Sequence, residues 1–225
     1  MKVLIIGAGN VATVLGRLIK AGGHEIVQVV SRSMDNAGVL AAELGCSAAA
    51  SFAKMNKDAD LYIAAMSDAA LNEIKENISL GDKVIVHTAG SISKDVLKGV
   101  SVNYGVMYPL QSLNKENQNG DIKIPLLIDG NNEFTIDMLK ELAGCISSAV
   151  NIMPDESRLK LHVAAVVTNN FTNHLYSLAY EFCKKEGIDF EMLQPLIEET
   201  ALRLKKHPPT EMQTGPAKRK DIITL

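Results

Sequence analysis

Three small residues near the start of the chain stand at a spacing that suits phosphate binding. Gly7, Gly9 and Ala12 fit the pattern G-x-G-x-x-G/A. In this pattern the first glycine permits a tight turn, the second lets the backbone approach a pyrophosphate, and the last small residue lets a helix pack close to a strand. Free N–H groups at the helix start, around Asn10 and Val11, would face the phosphates. The spacing predicts a dinucleotide site, and the alternative is a glycine turn that binds nothing.

The residues after the second predicted strand indicate which dinucleotide is bound. NAD sites usually carry Asp or Glu here to hold the ribose hydroxyls. This chain instead reads Ser31-Arg32-Ser33, and an arginine between two hydroxyls can grip a 2′-phosphate with charge-assisted hydrogen bonds. The pattern therefore favours NADP(H). In the alternative, Arg32 lies along the surface and Asp35 reaches the ribose.

Three polar residues in the C-terminal part could act on a substrate. His162, Asn169 and Asn173 are spaced i, i+7, i+11 with the small Ala165 between them, so one helix face can carry all three. On a face otherwise made of Ala and Val, such groups need hydrogen-bond partners, which a ligand or a dimer partner could supply. Hydride transfer to C=O or C=N needs a proton donor, and the reference pKa of histidine lies near neutrality. We predict His162 as proton donor, with Asn169 and Ser91 orienting the substrate.

These residues need strands and helices to position them. Residues 3–6 are an unbroken apolar run, which is typical of a strand buried on both faces, and a helical apolar stripe follows the glycines. Further elements alternate along the chain. Strands are predicted at 25–30, 46–50, 60–66, 82–87, 102–107 and 125–129, and helices at 34–44, 69–77, 94–98 and 132–142. This alternation predicts an α/β protein with a Rossmann-type, doubly wound, mainly parallel sheet.

Ligands of doubly wound sheets bind beyond the carboxyl ends of the strands. This rule places segments 65–68, 88–91 and 108–109 at the site. The residues predicted to contact the cofactor within them are Ala65, Met66, Thr88 and Ala89. His87 ends a predicted strand, where it packs in the core or faces the nicotinamide, and packing is the favoured interpretation.

The pattern becomes wholly helical in the last third of the chain. Residues 155–185 contain neither Gly nor Pro, which predicts one long helix, and a second is predicted at 190–206 with Pro195 in its first turns. Two such helices cannot bury both faces alone, so they must pack on the sheet domain or on a partner subunit. We predict a Rossmann domain at 1–153, an all-α substrate and dimerisation domain at 154–225, and a homodimer.

Composition narrows the possible partners. The chain has 225 residues, 47% of them hydrophobic, and a net charge of −3, so it gives no support for nucleic-acid binding. No stretch approaches membrane-spanning length, and we expect no membrane partner. Cys46, Cys145 and Cys183 lie far apart without CxxC spacing, which indicates a reducing cytoplasm and argues against a metal site. The expected partner is a small-molecule substrate.

Six segments together carry a resemblance to a known family: GAGNVAT, VVSRS, VIVHTAGSIS, YGVMYPLQSL, RLKLHVAAVVTNNFTNHL and TGPAKRKD. The chain resembles Rossmann-like NADP oxidoreductases that carry a helical domain of unknown function. It is also similar to pyrroline-5-carboxylate reductase and to deazaflavin-dependent NADP reductases, within the 6-phosphogluconate dehydrogenase-like group. The resemblance implies a cofactor site made of Gly7, Gly9, Asn10, Val11, Ser31, Arg32 and Ser33. It also implies a cleft lined by the HTAGS segment, Tyr108-Pro109, His162, Asn169 and the GPAKRKD segment.

Two features depart from that family. Better-known members of the wider group have a catalytic lysine four residues before an asparagine on the first long helix. Here Ala165 precedes Asn169 and Val166 precedes Asn170, so that mechanism is not carried over. Members of the narrower family continue beyond GPAKRKD, whereas this chain ends at Leu225, and we expect its C-terminal domain to be truncated.

The prediction from the whole sequence is an NADP(H)-dependent oxidoreductase. It would transfer a hydride to or from a small carbonyl or imine compound between the two domains. The alternative is an NADP-binding sensor or scaffold without catalysis, because fold does not fix function. The missing lysine favours the alternative, and a cluster of His162, Asn169 and Ser91 would favour the enzyme.

Overall fold

The chain forms two compact units, Met1–Thr168 and Asn169–Leu225. The computed structural model describes residues 1–116, 124–212, 214, 215 and 218. The division at 168/169 falls inside the long helix expected from the sequence, and the domain boundary at 153/154 stays a prediction. None of the described helices has the length and apolar character that crossing a membrane requires.

One eight-stranded sheet organises the first unit. Its strands are β1 Lys2–Ile6, β2 Glu25–Val30, β3 Ser47–Ala49, β4 Leu61–Ala64, β5 Gly81–His87, β6 Ser101–Pro109, β7 Leu126–Gly130 and β8 Val150–Ile152. They lie in the order β3-β2-β1-β4-β5-β6-β7-β8. The first six run parallel, β7 pairs antiparallel with β6, and β8 runs parallel to β7. The order reverses between β1 and β4, the switch point where such sheets bind ligands. The predicted Rossmann fold is confirmed.

Helices cover both faces of the sheet and make up the second unit. The first unit contains α1 Asn10–Ala21, α2 Met34–Leu44, α3 Asp68–Leu71, α4 Ile74–Asn77, α5 Glu133–Ile146 and α6 Asp155–Ala165. A π-helical turn, Val166–Phe171, follows α6. The second unit contains α7 Thr172–Glu186, α8 Gln194–Arg203 and α9 Pro209–Met212. Short 3₁₀ turns occupy Phe52–Lys54, Lys94–Leu97 and Phe190–Leu193.

The first strand shows why the sheet needs two helical layers. Val3 and Ile5 belong to the hydrophobic core on one face, and Leu4 and Ile6 to the core on the other. All four are at most 1% exposed. Full burial of such a side chain contributes about 1.5–3 kcal/mol. Because β1 is buried on both faces, the turn that follows it starts from a fixed position.

The first unit differs from the prediction in three elements, and one of them is the helix predicted at 94–98, which is the 3₁₀ turn Lys94–Leu97. The single helix predicted at 69–77 is divided into α3 and α4, because the Glu73 N–H bonds to the Ala70 carbonyl three residues back and tightens the turn there. The sequence predicts no strand at Val150–Ile152, yet β8 pairs there with the edge of the sheet. Three residues are too few to show an alternating pattern.

The long helix predicted at 155–185 is not α-helical throughout. The π turn interrupts it. The prediction that His162 and Asn169 share one face assumed a continuous α-helical period, and that period does not hold across the π turn. The Thr168 hydroxyl donates to the carbonyls of Ala164 and Ala165 within this region. Such side-chain bonds compete with regular backbone bonding and bend helices.

The second predicted helix is shorter than expected. It starts as the 3₁₀ turn Phe190–Leu193, continues as α8 and ends at Arg203, before the predicted residue 206. Pro195 lies in the first turn of α8, as predicted. The missing N–H of the proline removes no hydrogen bond there, because the first helical N–H groups have no partner within the helix.

Candidate functional site

The glycine turn brings β1 and β4 into close contact. Gly7 has φ +122°, and a Cβ atom there would lie 2.0 Å from the Ala65 carbonyl oxygen. Its N–H donates to the Val30 carbonyl at 2.7 Å. Only glycine fits this position, because both the backbone conformation and the space exclude a side chain. The turn therefore leads the chain directly across the carboxyl ends of three neighbouring strands.

The second glycine of the turn is open to a ligand. Gly9 is the N-cap of α1, and no side chain caps the helix. A Cβ atom at Gly9 would meet nothing within 4 Å, so the protein itself does not require glycine there. Ala12 is fully buried, as close packing of helix and strand requires. The open approach to the uncapped N–H groups suits a pyrophosphate.

A cavity of about 700 Å³ surrounds this turn. Nine of the eleven residues predicted to bind the cofactor line it: Gly7, Gly9, Asn10, Val11, Ser31, Arg32, Ala65, Met66 and Thr88. Further lining comes from a segment after β3, Ala50 to Ala53, and from Asn77. Sequence reasoning missed that segment, although β3 pairs with β2 and its carboxyl end must lie beside Ser31.

Two of the predicted cofactor residues do not line the cavity. The Ser33 hydroxyl accepts from the Asn36 N–H at 3.3 Å and so caps α2. The Ala89 N–H donates to Nδ1 of His87 at 3.1 Å. The Ser33 hydroxyl and the Ala89 N–H therefore each have a partner within the protein, and the contact of these residues with a cofactor stays a prediction.

Arg32 is exposed at the mouth of the cavity. Within the part of the chain that the structure describes, its guanidinium forms no hydrogen bond or ion pair. Asp35 is exposed one helical turn away in α2. An unpaired guanidinium at the ribose end is free to bind a phosphate, whereas the alternative role of Asp35 remains open.

His87 ends β5 in the core rather than at a ligand surface. Its side chain is fully buried, and its Nε2 atom has no hydrogen-bond partner among the described residues. Burial, helped by the positive charge of Arg158, lowers the pKa of His87 to about 4, and the Ser93 carbonyl offsets little of this. The favoured interpretation of a structural histidine fits this environment.

A buried arginine that sequence reasoning missed holds the loop after β5. Arg158 lies on α6 and is fully buried. Its Nε atom donates to the Gly90 carbonyl at 3.3 Å, and its Nη2 atom donates to the Ile92 carbonyl. Nη2 also forms an ion pair with Asp155 at 2.7 Å. The loop therefore cannot move without breaking bonds to α6.

Asp155 joins this arginine to a second ion pair. It accepts hydrogen bonds from the Ser93 hydroxyl and the Lys94 N–H. Burial alone would raise the pKa of Asp155, but the hydrogen bonds from Ser93 and Arg158 outweigh burial and lower it. Lys94 pairs with Asp129 at 2.8 Å. Burial opposes the charge on Lys94, yet the bond to Asp129 keeps its pKa above the ordinary value.

His162 lies against the same loop. Its Nδ1 atom is 3.0 Å from the Tyr108 hydroxyl, and the two rings meet edge to face with centroids 5.6 Å apart. A Cβ atom on Gly90 would lie 2.5 Å from Nδ1 of His162. Burial raises the pKa of Tyr108, so its phenol stays protonated. The Tyr108 hydroxyl donates to Nδ1 when the neutral ring carries its proton on Nε2, and it accepts from Nδ1 when both ring nitrogens are protonated.

Ser91 and Asp68 meet beside this histidine. The Ser91 hydroxyl donates to Oδ2 of Asp68 at 2.9 Å, and both side chains are exposed. Ser91 follows Gly90 directly, so the predicted Ser91 and His162 belong to the same region of the first unit. Asp68 was not predicted as a site residue, although it lies in one of the segments expected there.

Two other predicted features are not placed beside His162. Asn169 belongs to the second unit, in the π turn, and its role stays a prediction. Most of the GPAKRKD segment lies outside the described residues. Across the described ranges, no group of three or more His, Cys, Asp or Glu side chains could hold a metal ion.

Comparisons with known proteins agree with this architecture. Residues 2–90 match the family model described as NADP oxidoreductase, coenzyme F420-dependent, and residues 124–225 match a domain of unknown function, DUF2520. No curated protein matches the chain. A crystal structure described as a "putative NADP oxidoreductase" from Bacteroides fragilis is 37% identical, with a TM-score of 0.90, and the match covers 99% of this chain and 87% of that one.

Two more distant structures share the fold. A 1-pyrroline-5-carboxylate reductase from Streptococcus pyogenes is 18% identical over 99% of this chain and 85% of its own, with a TM-score of 0.70. A reductive aminase from Aspergillus terreus, in complex with NADPH and ethyl-5-oxohexanoate, is 17% identical over 91% of this chain and 73% of its own, with a TM-score of 0.69. The identity to the Bacteroides protein confirms the resemblance, and the chain belongs to the family of NADP oxidoreductases that joins this nucleotide-binding domain to a DUF2520 domain.

Proposed function

We propose that the chain is an NADPH-dependent reductase of small imine or carbonyl compounds. The observation that carries the proposal is the position of His162, which packs on the loop whose first residue, Thr88, lines the candidate dinucleotide cavity. Thr88 lines the cavity, and Gly90, two residues later, contacts the histidine ring. The short path from Thr88 through Gly90 to His162 supports a role for this histidine as proton donor. The pyrroline-carboxylate reductase and the reductive aminase, which share the fold, suggest this substrate class by analogy alone, because fold does not fix function.

The residues present fit a dinucleotide phosphate. Gly9 leaves the approach to α1 open, Arg32 is free to bind a 2′-phosphate, and Ser31 lies beside it in the cavity. NADPH, when bound, supplies a hydride to the substrate carbon. The side chains of this protein would orient the substrate and supply the proton.

His162 would protonate the nitrogen or oxygen atom of the reduced bond. The protonated imidazole ring carries a hydrogen on both nitrogens, so Nδ1 would donate to the Tyr108 oxygen while Nε2 would give its proton to the substrate and leave the ring neutral. Ser91 would orient the substrate from the neighbouring position, and we assign the same task to Asn169. Because Arg158 fixes the loop that carries Gly90, the histidine keeps a constant position against the cavity.

We expect the Arg32→Ala variant to bind NADPH about 10–100-fold more weakly, since a charge-assisted contact contributes about 1.5–3 kcal/mol. Binding of NADH should not change. Thermal shifts with each cofactor measure this, because a ligand raises stability with the logarithm of its concentration over Kd. Lys57→Ala, which removes an exposed cation outside the cavity lining, is the matched control. A stronger shift with NADH than with NADPH in the unmodified protein would instead support the role of Asp35.

The His162→Gln variant should lose about a hundredfold or more of kcat, because general acid catalysis contributes about 10²–10⁴-fold. NADPH oxidation with a panel of small cyclic imines and ketones measures the effect. NADPH binding should persist, since His162 does not line the cavity. His174→Gln, at an exposed histidine of α7, is the control. If NADPH binds but no member of the panel is reduced, the sensor or scaffold interpretation holds instead.

We also propose that the second unit forms a homodimer in the cytoplasm. Phe171, Leu175, Leu178 and Phe182 each expose more than half of their surface and share one face of the helix that contains α7. A contiguous apolar face of this size is characteristic of an interface, and a second copy would cover it. The three cysteines are free thiols, which suits a reducing compartment.

A further inference from the structure

One carboxylate at the candidate site has no cationic partner among the described residues. Asp68 follows Ser67, which lines the cavity, and accepts a hydrogen bond from the Ser91 hydroxyl at 2.9 Å. Ser91 follows Gly90, the residue that the His162 ring contacts. The exposed carboxylate of Asp68 therefore follows a residue of the cavity lining and bonds the loop that contacts the predicted proton donor.

The cations of this region are already neutralised. Arg158 pairs with Asp155 at 2.7 Å, and Lys94 pairs with Asp129 at 2.8 Å. These four charges sum to zero, so Asp68 adds an uncompensated negative charge. The single hydrogen bond from Ser91 fixes one carboxylate oxygen and leaves the other available. An available oxygen with a full charge is a binding group for a cation.

We propose that Asp68 selects substrates with a positively charged nitrogen, above all protonated imines, and that Ser91 orients its carboxylate toward them. The inference rests on the proposed function and narrows its substrate class. An imine nitrogen that takes a proton from His162, or that arrives already protonated from water, is the cation that Asp68 binds. Hydride then adds to the carbon, a C–H bond forms, and the C=N π electrons become the nitrogen lone pair. The amine product takes up a proton from water. A neutral ketone carries no charge for Asp68 to bind, so Asp68 does not strengthen its binding.

The test compares Asp68→Asn with Asp95→Asn. Asp95 also accepts a hydrogen bond from one hydroxyl, that of Tyr104 at 3.3 Å, and does not line the cavity. Both variants lose one negative charge from the first unit. The substrates are a cyclic imine that is protonated near neutral pH and a neutral cyclic ketone of the same ring size. We expect D68N to lower kcat/KM for the imine about tenfold or more, mainly through KM, and to leave the ketone within about threefold.

Binding of an amine tests the inference even if the protein reduces none of the substrates. A cyclic secondary amine should bind the NADP⁺-loaded protein and should bind D68N about tenfold more weakly, whereas D95N should resemble the unmodified protein. If the protein reduces no compound but binds the amine through Asp68, the proposed function fails and the inference stands. An equal loss for imine and ketone in D68N, a weakened NADPH affinity, or the absence of any amine binding would each overturn the inference.

Discussion

The Arg158→Met variant should lose about 3–5 kcal/mol of unfolding free energy, because it removes the donor to two carbonyls and the nearest cation of Asp155. The guanidinium is fully buried and bonds the carbonyls of Gly90 and Ile92 as well as the Asp155 carboxylate. Methionine fills similar space but donates no hydrogen bond. Asp155 then keeps its charge, 28% exposed, without its nearest cation. Two carbonyls lose their donors at about 1–3 kcal/mol for each buried group.

Denaturant unfolding followed by circular dichroism measures this loss. Lys160→Met is the matched control, because it removes the same charge from the same helix at an exposed ion pair. Exposed pairs contribute about 0–1 kcal/mol, so the control should unfold close to the unmodified protein. A loss below about 1 kcal/mol for Arg158→Met would contradict the view that this arginine fastens the loop.

The sequence could predict the glycine turn because the reasons for it are local. Gly7 needs a positive φ and close contact with a strand end, and both needs follow from a buried strand that turns directly into a helix. The cavity residues after β4 and β5 followed from one topological rule. Parallel strands end at one edge of the sheet, so residues distant in the chain must meet there.

The loop fastened by Arg158 could not be predicted, because its partners are distant in the chain. Gly90 lies 68 residues from Arg158, and no periodicity reports which carbonyls a side chain will meet. In the helical pattern the arginine looks like an ordinary surface residue. The only local signal was Asp155 three residues earlier, a spacing that serves exposed pairs equally well.

The contact between Tyr108 and His162 also joins residues that are distant in the chain. The two residues are 54 positions apart. The strand-end rule placed Tyr108 at the site and proton-donor chemistry placed His162 there, but neither predicted that they touch. The face shared by His162 and Asn169 was predicted from an α-helical period. The π turn breaks that period, and the Thr168 hydroxyl bonds that accompany it depend on backbone geometry rather than on hydrophobic pattern.

Acidification should destabilise the protein through His87, and the effect should vanish in the His87→Asn variant. The pKa of His87 is lowered from 6.5 to about 4 in the folded protein, because the buried ring resists a charge. Between these values the unfolded chain takes up a proton that the folded protein refuses, so stability falls as pH decreases from 6.5 and levels off near 4. A shift of this size corresponds to about 3 kcal/mol.

Asparagine is the informative replacement because its side-chain oxygen can accept the Ala89 N–H in place of Nδ1. Other groups titrate in the same range, so the measured quantity is the difference in unfolding free energy between protein and variant at each pH. Between pH 7 and pH 4, the unmodified protein should lose about 3 kcal/mol of unfolding free energy relative to the variant. His207→Asn, at an exposed histidine, should show no such change. A flat difference for His87→Asn would mean that the ring is protonated in the folded protein and that the loop after β5 admits a counter-charge or water.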